Sequence, residues 1–198
     1  MNAEITNHDL VKKFTDFIRE ITTEDRIAIL HDMDPDGSCS AIILKKALFT
    51  LGVQPKYIHH LVEGKEKTYF TQTIRKELSS RNINKIICLD KPVDMSYPKD
   101  IEYLQTFEKV CIVDHHKMDK DINSEKIVLI KPQLFAKNIE PTKYNTSKIV
   151  YDLTSNIVDV SNYDWICAVG VIADFNYDQW MHLLHKHAIH HLKQFDLI

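Results

Sequence analysis

Acidic and histidine side chains occur in three short clusters that lie far apart in the sequence. Carboxylates brought close together repel each other, and a divalent cation relieves that repulsion. Four carboxylates with an imidazole suit two cations roughly 3.5–4 Å apart, an arrangement that cleaves phosphate esters. Oxygen ligands with one or two histidines favour Mn²⁺ or Mg²⁺ over metals that prefer thiolates. The clusters are His31, Asp32, Asp34 and Asp36, then Asp90 alone, then Asp114, His115 and His116.

Each cluster taken alone has an ordinary structural explanation. The stretch 34–37, Asp-Pro-Asp-Gly, is a common turn in which an aspartate caps the next helix. Asp90 stands two residues before a proline and would also serve as a turn residue at a strand end. What favours a shared site is the conjunction, because each cluster directly follows an apolar run.

Three strand-like runs must position these clusters. They cover residues 26–30, 85–89 and 109–113 and consist mainly of isoleucine, valine, leucine and cysteine. In a parallel sheet the carboxyl ends of the strands lie along one edge, and ligands bind there. We therefore expect the three clusters to meet in space.

The remaining pattern alternates helix and strand, which predicts an α/β fold. We expect a doubly wound, mainly parallel sheet of about five strands with a helical C-terminal part. The predicted division is a domain over residues 1–176, including an N-terminal helix over 7–22, followed by a C-terminal helix over 177–198. The other predicted helices cover 41–51, 66–81 and 98–107, the other strands cover 56–62 and 126–130, and helices alone follow residue 141.

Composition excludes several classes of protein. The chain has 198 residues, 44% hydrophobic and 27% charged, which is typical of a folded globular domain rather than a disordered one. A formal net charge of −3 argues against a broad basic surface for nucleic acid. No apolar run approaches roughly 18 residues and the first residues are polar, so we predict neither a membrane span nor a signal peptide. The four cysteines form no CxxC pair, which disfavours structural zinc and fits a cytoplasmic protein.

The ordered motifs resemble those of the DHH phosphoesterases. That family includes RecJ-type single-strand exonucleases, oligoribonucleases, cyclic-dinucleotide phosphodiesterases and family II inorganic pyrophosphatases. The resemblance covers roughly residues 24–176, and its first motif is closer to the RecJ-like pattern DxDxDG than to that of the pyrophosphatases. The matching segments are residues 31–37 (HDMDPDG), Asp90, residues 114–116 (DHH) and residues 168–174 (AVGVIAD).

The resemblance implies a set of metal ligands for two Mn²⁺ ions, with Mg²⁺ as an alternative metal. Asp34 would hold one ion and Asp36 the other, while Asp90 would bridge both. His115 and Asp174 would complete the ligands of the second ion. These four carboxylates would balance the charge of two divalent cations.

Further roles follow from the same resemblance. His116 would contact the scissile phosphate, and Asp114 would orient the two neighbouring imidazoles. His31 and Asp32 are alternatives for an additional ligand of the first ion. The choice between these two residues stays open at this point.

The segment Asn145, Thr146 and Ser147 opens a predicted helix. Its polar groups could point into the site and contact the substrate. The alternative interpretation is a plain N-cap, because these residue types are common at helix starts.

The resulting hypothesis is a Mn²⁺-dependent, two-metal enzyme that hydrolyses phosphodiester bonds in single-stranded nucleic acid, oligonucleotides or a nucleotide messenger. The resemblance implies a second domain that grips the substrate in most DHH enzymes, and we expect that the sequence stops before such a domain. The chain would then be a truncated form, or would work without that lobe, or would have a protein partner or a second copy of the chain in its place. The alternatives are a weakly active or inactive binding subunit of a replication or repair assembly, and an inorganic pyrophosphatase.

Overall fold

The computed structural model describes residues 8–65, 67–95, 98–136 and 140–186. Its five strands are β1 (Ile27–His31), β2 (Tyr57–His60), β3 (Lys85–Leu89), β4 (Lys109–Val113) and β5 (Ile127–Ile130). They form one sheet in the order β2-β1-β3-β4-β5, and every neighbouring pair is parallel.

Helices cover both faces of this sheet. The helices are α1 (His8–Arg19), α2 (Pro35–Thr50), α3 (Gln72–Ser80), α4 (Pro98–Leu104), α5 (Pro132–Phe135), α6 (Thr146–Ser155) and α7 (Asp164–Ala173). Helices α1, α2, α6 and α7 pack on one face, and α3 and α4 pack on the other. Successive strand residues therefore enter different cores: Ile27 and Ile29 face the first, and Ala28 and Leu30 face the second. Burial on both faces explains why the strand runs are apolar throughout.

The predicted fold class is confirmed, and the differences concern where elements begin and end. The predicted helix over 66–81 starts later, at α3, because the Thr71 hydroxyl caps it by accepting the N–H of Ile74 at 3.5 Å. Before that cap, the N–H of Tyr69 donates to the buried carboxylate of Asp100 at 2.8 Å, which holds the chain in a loop.

The predicted N-terminal helix over 7–22 is shorter in the structure, since α1 ends at Arg19. A turn follows, in which the N–H of Thr22 donates to the Asp25 carboxylate at 2.7 Å. This bond gives the backbone an alternative to a further helical turn.

The C-terminal part is anchored by a tryptophan. Trp180 is fully buried and its indole N–H donates to the carbonyl of Lys143 at 2.9 Å, and residues 181–186 are helical. The predicted helix over 177–198 lies partly outside the described residues, and the division of the chain at residue 176 stays a prediction. Among the described helices, none combines the length and the apolar character that crossing a bilayer requires.

Candidate metal centre at the carboxyl edge of the sheet

The three acid-bearing loops leave the same edge of the sheet. The strand order reverses between β1 and β3, and parallel sheets open a ligand-binding crevice at such a point. The backbone N–H groups of Asp32, Asp90 and Asp114 each donate to the carbonyl of the last residue of a neighbouring strand, at 3.1, 2.9 and 3.1 Å. The sheet ladder thus extends one residue into each loop and aligns the three clusters.

A tight turn carries the first cluster from β1 into α2. Asp34 caps the helix, because its carboxylate accepts the N–H of Gly37 at 2.9 Å, and Pro35 stands in the first helical turn. A Cβ atom at position 37 would lie 2.6 Å from the carbonyl oxygen of Asp32, so any larger residue would force the turn apart. The interpretation of 34–37 as a capping turn is correct, and the same turn presents Asp34 and Asp36 to the sheet edge.

Asp36 is fully buried and accepts three hydrogen bonds from the start of α6. Its Oδ1 accepts the side-chain amide of Asn145 at 2.7 Å and the N–H of Ser147 at 2.9 Å, and its Oδ2 accepts the N–H of Thr146 at 2.8 Å. The partial positive charge of a helix N-terminus favours a carboxylate. Burial nevertheless raises the pKa of Asp36, and a nearby cation would favour its ionised form.

Asp90 directly follows β3 in the left-handed backbone conformation. Its φ of +60° lies in the left-handed region, which residues other than glycine adopt infrequently and often at functional sites. Its Oδ1 accepts the hydroxyl of Thr146 at 2.9 Å, and the residue is 1% exposed. Burial, together with the charges of Asp36 and Asp114, raises the pKa of Asp90 well above its usual value.

His115 contacts both Asp90 and the end of α7. Its Nδ1 lies 3.3 Å from the carbonyl oxygen of Thr142, a contact in which the ring nitrogen donates. Its Nε2 lies 3.1 Å from Oδ2 of Asp174 and 3.5 Å from Oδ1 of Asp90. A nitrogen and carboxylate oxygens at these distances need a proton or a metal cation between them. A backbone carbonyl on the other ring nitrogen is the usual arrangement of a metal-binding histidine.

Asp174 reaches the site because α7 packs unusually close to α6. A Cβ atom at Gly170 would lie 2.2 Å from Oγ of Ser147 and 2.9 Å from Oδ1 of Asp36, so glycine permits this approach. Apart from the His115 nitrogen, Oδ2 of Asp174 is buried without a hydrogen-bond partner among the described residues. Burial and the charge of Asp36 raise the pKa of Asp174 to about 6. A carboxylate at a helix C-terminus is itself unfavourable, and a bound cation would relieve this cost.

The side chains form three overlapping groups, and within each group the ligand atoms lie within 4.8 Å of one another. Together they offer oxygen and imidazole donors of the kind that Mn²⁺ and Mg²⁺ accept. Every predicted metal ligand of the resemblance is thus brought to one place, although the ligand roles themselves stay predictions. The groups are Asp32, Asp34 and Asp90; Asp90, His115 and His116; and Asp36, His115 and Asp174.

The two alternatives for an additional ligand are placed differently. His31 belongs to none of the three groups; its Nδ1 lies 2.5 Å from the carbonyl oxygen of Asp32, and burial lowers the pKa of His31. Asp32 lies among the carboxylates, but its Oδ2 is 2.6 Å from Nζ of Lys91. The geometry therefore favours Asp32 over His31 as a neighbour of the metal centre, although Oδ2 of Asp32 is already paired with Lys91.

A buried lysine that the sequence patterns did not single out supports the third cluster. Nζ of Lys131 lies 2.6 Å from Asp94 and 2.7 Å from Asp114, and all three side chains are fully buried. The same ammonium donates to the carbonyls of His116 and Lys117 at 3.2 Å. The one signal in the sequence was a lysine placed directly after an apolar strand.

This lysine also sets the charge of Asp114. Burial would raise the pKa of Asp114, but the hydrogen bond from His116 and the charge of Lys131 lower it to about 2. Burial would lower the pKa of His116, and its hydrogen bond to Asp114 at 2.7 Å outweighs that effect and raises it. Asp114 thus contacts His116, whereas His115 is held by the carbonyl of Thr142.

Asn145, Thr146 and Ser147 are all fully buried. Asn145 occupies the N-cap position of α6, but its side chain makes no capping hydrogen bond and binds Asp36 instead. The interpretation as a plain N-cap is therefore wrong, because the polar groups of this segment hold Asp36 and Asp90. A direct contact between the segment and a substrate stays a prediction.

The raised pKa of Asp174 predicts a pH-dependent stability for the metal-free protein. Its value of about 6 lies above the ordinary 3.8, so folding favours the protonated form. Such a group contributes its full stability below the ordinary pKa and loses it as the pH rises through the pKa of the folded state. We expect the thermal midpoint in EDTA to fall between about pH 4 and pH 6, and to fall less in Asp174→Asn. Equal profiles for both proteins would contradict this assignment.

Comparison with known proteins places these features in a family. The chain matches the family model described as DHH family, N-terminal domain, over residues 26–182. It is similar in structure to exonuclease RecJ bound to manganese (19% identity, TM-score 0.62, 85% of this chain and 46% of that chain). It is also similar to RecJ in complex with Mn²⁺ from Thermus thermophilus (20% identity, TM-score 0.63, 87% of this chain and 25% of that chain). A third similar structure is CDC45 from Entamoeba histolytica (12% identity, TM-score 0.60, 90% of this chain and 36% of that chain). A comparison with curated protein sequences gave no match.

The structural likenesses concern the fold, and the chain spans less than half the length of either RecJ chain. The family model, in contrast, covers most of the sequence. The matched region begins at the start of β1 and extends past α7, so it contains all the clusters at the sheet edge. The chain belongs to the DHH family.

Proposed function

We propose that this protein is a divalent-cation-dependent phosphoesterase that hydrolyses phosphodiester bonds in single-stranded nucleic acid, oligonucleotides or a nucleotide messenger. The observation that carries the proposal is the meeting of Asp36, Asp90, His115 and Asp174 at one sheet edge. Within the described residues, no lysine or arginine forms an ion pair with any of these three carboxylates. The uncompensated charge fits a cation site, and so does Oδ2 of Asp174, which has no contact in the described residues beyond the His115 nitrogen.

The residues divide naturally between two cations, with Mn²⁺ as the proposed metal and Mg²⁺ as the alternative. Asp36, His115 and Asp174 would hold one ion, Asp34 would hold the other, and Asp90 would serve both. When bound, two such cations activate water and neutralise charge on the phosphate oxygens. The hydrogen bonds from α6 keep Asp36 in place for this role, and the carbonyl of Thr142 keeps Nε2 of His115 turned toward the carboxylates.

His116 is the proposed phosphate contact. Its Nδ1 donates to Asp114, which leaves Nε2 for the substrate, and its side chain is 42% exposed. The hydrogen bond to Asp114 raises the pKa of His116, and a protonated imidazole would attract a phosphate oxygen. The buried pair of Asp114 and Lys131 holds the ring in one orientation.

The comparisons support the same reaction class. The RecJ structures concern an exonuclease solved with manganese, and another RecJ structure from Thermus thermophilus contains Mg²⁺. The proposal extends to a protein partner or a second copy of the chain that would help to grip the substrate, and to a cytoplasmic location.

Hydrolysis assays with purified protein test the proposal. The substrates are 5′-labelled single-stranded DNA, RNA, a dinucleotide and pyrophosphate, each with Mn²⁺, Mg²⁺ or EDTA. We expect cation-dependent turnover of at least one phosphodiester, and loss of that turnover in Asp34→Asn, which keeps a residue able to cap α2. Asp178→Asn removes an exposed carboxylate elsewhere and serves as the control.

The outcomes separate the alternatives. Turnover that survives in Asp34→Asn would overturn the site assignment. Mn²⁺ binding without turnover of any substrate would overturn the proposed activity and favour a binding subunit. Turnover of pyrophosphate alone would replace the proposed substrate class with a phosphoanhydride.

A further inference from the structure

Lys91 brings a fixed positive charge to one part of the metal centre. It directly follows Asp90, whose left-handed backbone turns the chain at the end of β3. Its Nζ lies 2.6 Å from Oδ2 of Asp32, and the two side chains are only 12% and 18% exposed. The ammonium also lies 5.3 Å from the ring centroid of the buried Tyr69, an additional attraction that holds the lysine in place.

Both carboxylate oxygens of Asp32 already have partners. Oδ2 is paired with Lys91, and Oδ1 accepts the backbone N–H of Met33 at 2.5 Å. Asp32 still lies in the group with Asp34 and Asp90, where the ligand atoms are within 4.8 Å of one another. A metal that binds Asp32 would therefore meet a carboxylate whose charge is already offset by a well-shielded ion pair and whose oxygens already accept hydrogen bonds.

The part of the centre that contains Asp36 and Asp174 has no such positive charge among the described residues. Asp36 and Asp174 have no lysine or arginine partner among the described residues, and Oδ2 of Asp174 has no hydrogen-bond partner beyond the His115 nitrogen. A cation near Asp174 would find free negative charge. A cation near Asp34 would find Lys91 close by, and like charges at short range repel strongly in a partly buried site.

We propose that Lys91 makes the two metal positions unequal. It holds Asp32 out of the ligand set and weakens the position at Asp34, so the position formed by Asp36, His115 and Asp174 fills first. This inference rests on the proposed function and adds to it an order of metal binding. It also accounts for charge: four free carboxylates balance two divalent cations, and Asp32 with Lys91 is neutral.

Mn²⁺ titrations followed by calorimetry and electron paramagnetic resonance test the inference without any activity measurement. Lys91→Met keeps most of the aliphatic stem and removes the charge. The wild type should show two classes of bound Mn²⁺, one with higher and one with lower affinity, called the tighter and the weaker class below. In Lys91→Met the weaker class should tighten about tenfold or more, while the tighter class changes by less than about threefold.

Asp32→Asn supplies the matched variants. When Asp32→Asn is added to Lys91→Met, the gain in Mn²⁺ affinity of the weaker class should disappear, because the freed Asp32 carboxylate is the source of that gain. In the wild-type background it should weaken the weaker class further, because Lys91 then keeps a positive charge that no carboxylate offsets.

Three results would be decisive against the inference. A weaker class that is unchanged in Lys91→Met would overturn it while Mn²⁺ binding still supports the proposed function. A gain that persists in the double variant would overturn the role given to Asp32. A wild-type protein that binds no Mn²⁺ would overturn both the inference and the proposed function.

Discussion

Replacement of Lys131 by methionine is expected to lower the free energy of unfolding by about 3–5 kcal/mol. The lysine is fully buried and its ammonium is the shared partner of Asp94 and Asp114. Methionine fills a similar volume but leaves two buried carboxylates without their cation. Removing one partner of a buried ion pair is costly because the remaining charge stays desolvated.

Urea unfolding followed by circular dichroism measures this effect. Lys126→Met, at an exposed lysine just before β5, should change the unfolding free energy by no more than about 0.5 kcal/mol. Adding Asp94→Asn to Lys131→Met should restore part of the loss, since one of the two uncompensated carboxylates becomes neutral. A loss below about 1 kcal/mol in Lys131→Met would show that Asp94 and Asp114 are not held as an ion triad.

Asp90→Asn is expected to abolish hydrolysis and at the same time to stabilise the metal-free protein. Asparagine tolerates the left-handed backbone at this position and can still accept the hydroxyl of Thr146. The raised pKa of Asp90 means that its ionised form opposes folding near neutral pH, and the neutral amide removes that penalty. Loss of the carboxylate that would serve both cations should reduce turnover at least about a thousandfold.

Thermal unfolding at pH 8 with EDTA and with Mn²⁺ distinguishes these effects. The midpoint of Asp90→Asn in EDTA should exceed that of the wild type. Added Mn²⁺ should raise the wild-type midpoint more than that of the variant, because a ligand stabilises a protein in proportion to its affinity and the variant lacks the carboxylate that would serve both cations. Asp178→Asn should behave as the wild type. A variant that retains hydrolysis, or that unfolds more easily without metal, would contradict the role of Asp90.

The fold and the meeting of the clusters could be predicted because both depend on regular patterns. Apolar runs that end at Asp32, Asp90 and Asp114 define parallel strands, and parallel strands bring their carboxyl ends to one edge. Asp174 could not be predicted from such patterns, because helical periodicity alone marks it only as a residue near a helix end. Its place in the site came from resemblance to a family, and the structure explains that place through the missing side chain of Gly170.

The supporting residues could not be predicted because their partners lie in other loops. Lys131 pairs with Asp94 and Asp114 across two crossovers of the chain, and no local spacing encodes that distance. No pattern singled out Lys91, and only the geometry shows its contact with Asp32. The acidic and histidine residues at strand ends can be recognised in the sequence. The lysines that pair with them can be identified only in the folded structure.

The hydrogen bonds accepted by Asp36 affect how related sequences should be interpreted. A descendant that lost hydrolysis but kept its shape would still need this aspartate, because its loss leaves the buried N–H groups of Thr146 and Ser147 without an acceptor, at about 1–3 kcal/mol each. The amide of Asn145 would keep only its hydrogen bond to the hydroxyl of Ser147. Asp34 is only partly buried and His116 is 42% exposed, so both could change at a lower cost to folding once catalysis was no longer selected. Serine, threonine or asparagine at position 34 would still cap α2. An intact Asp36 in a relative is therefore poor evidence of an active enzyme. Substitutions at Asp34 and His116 would be the earlier sign that a related protein binds its ligand without cleaving it.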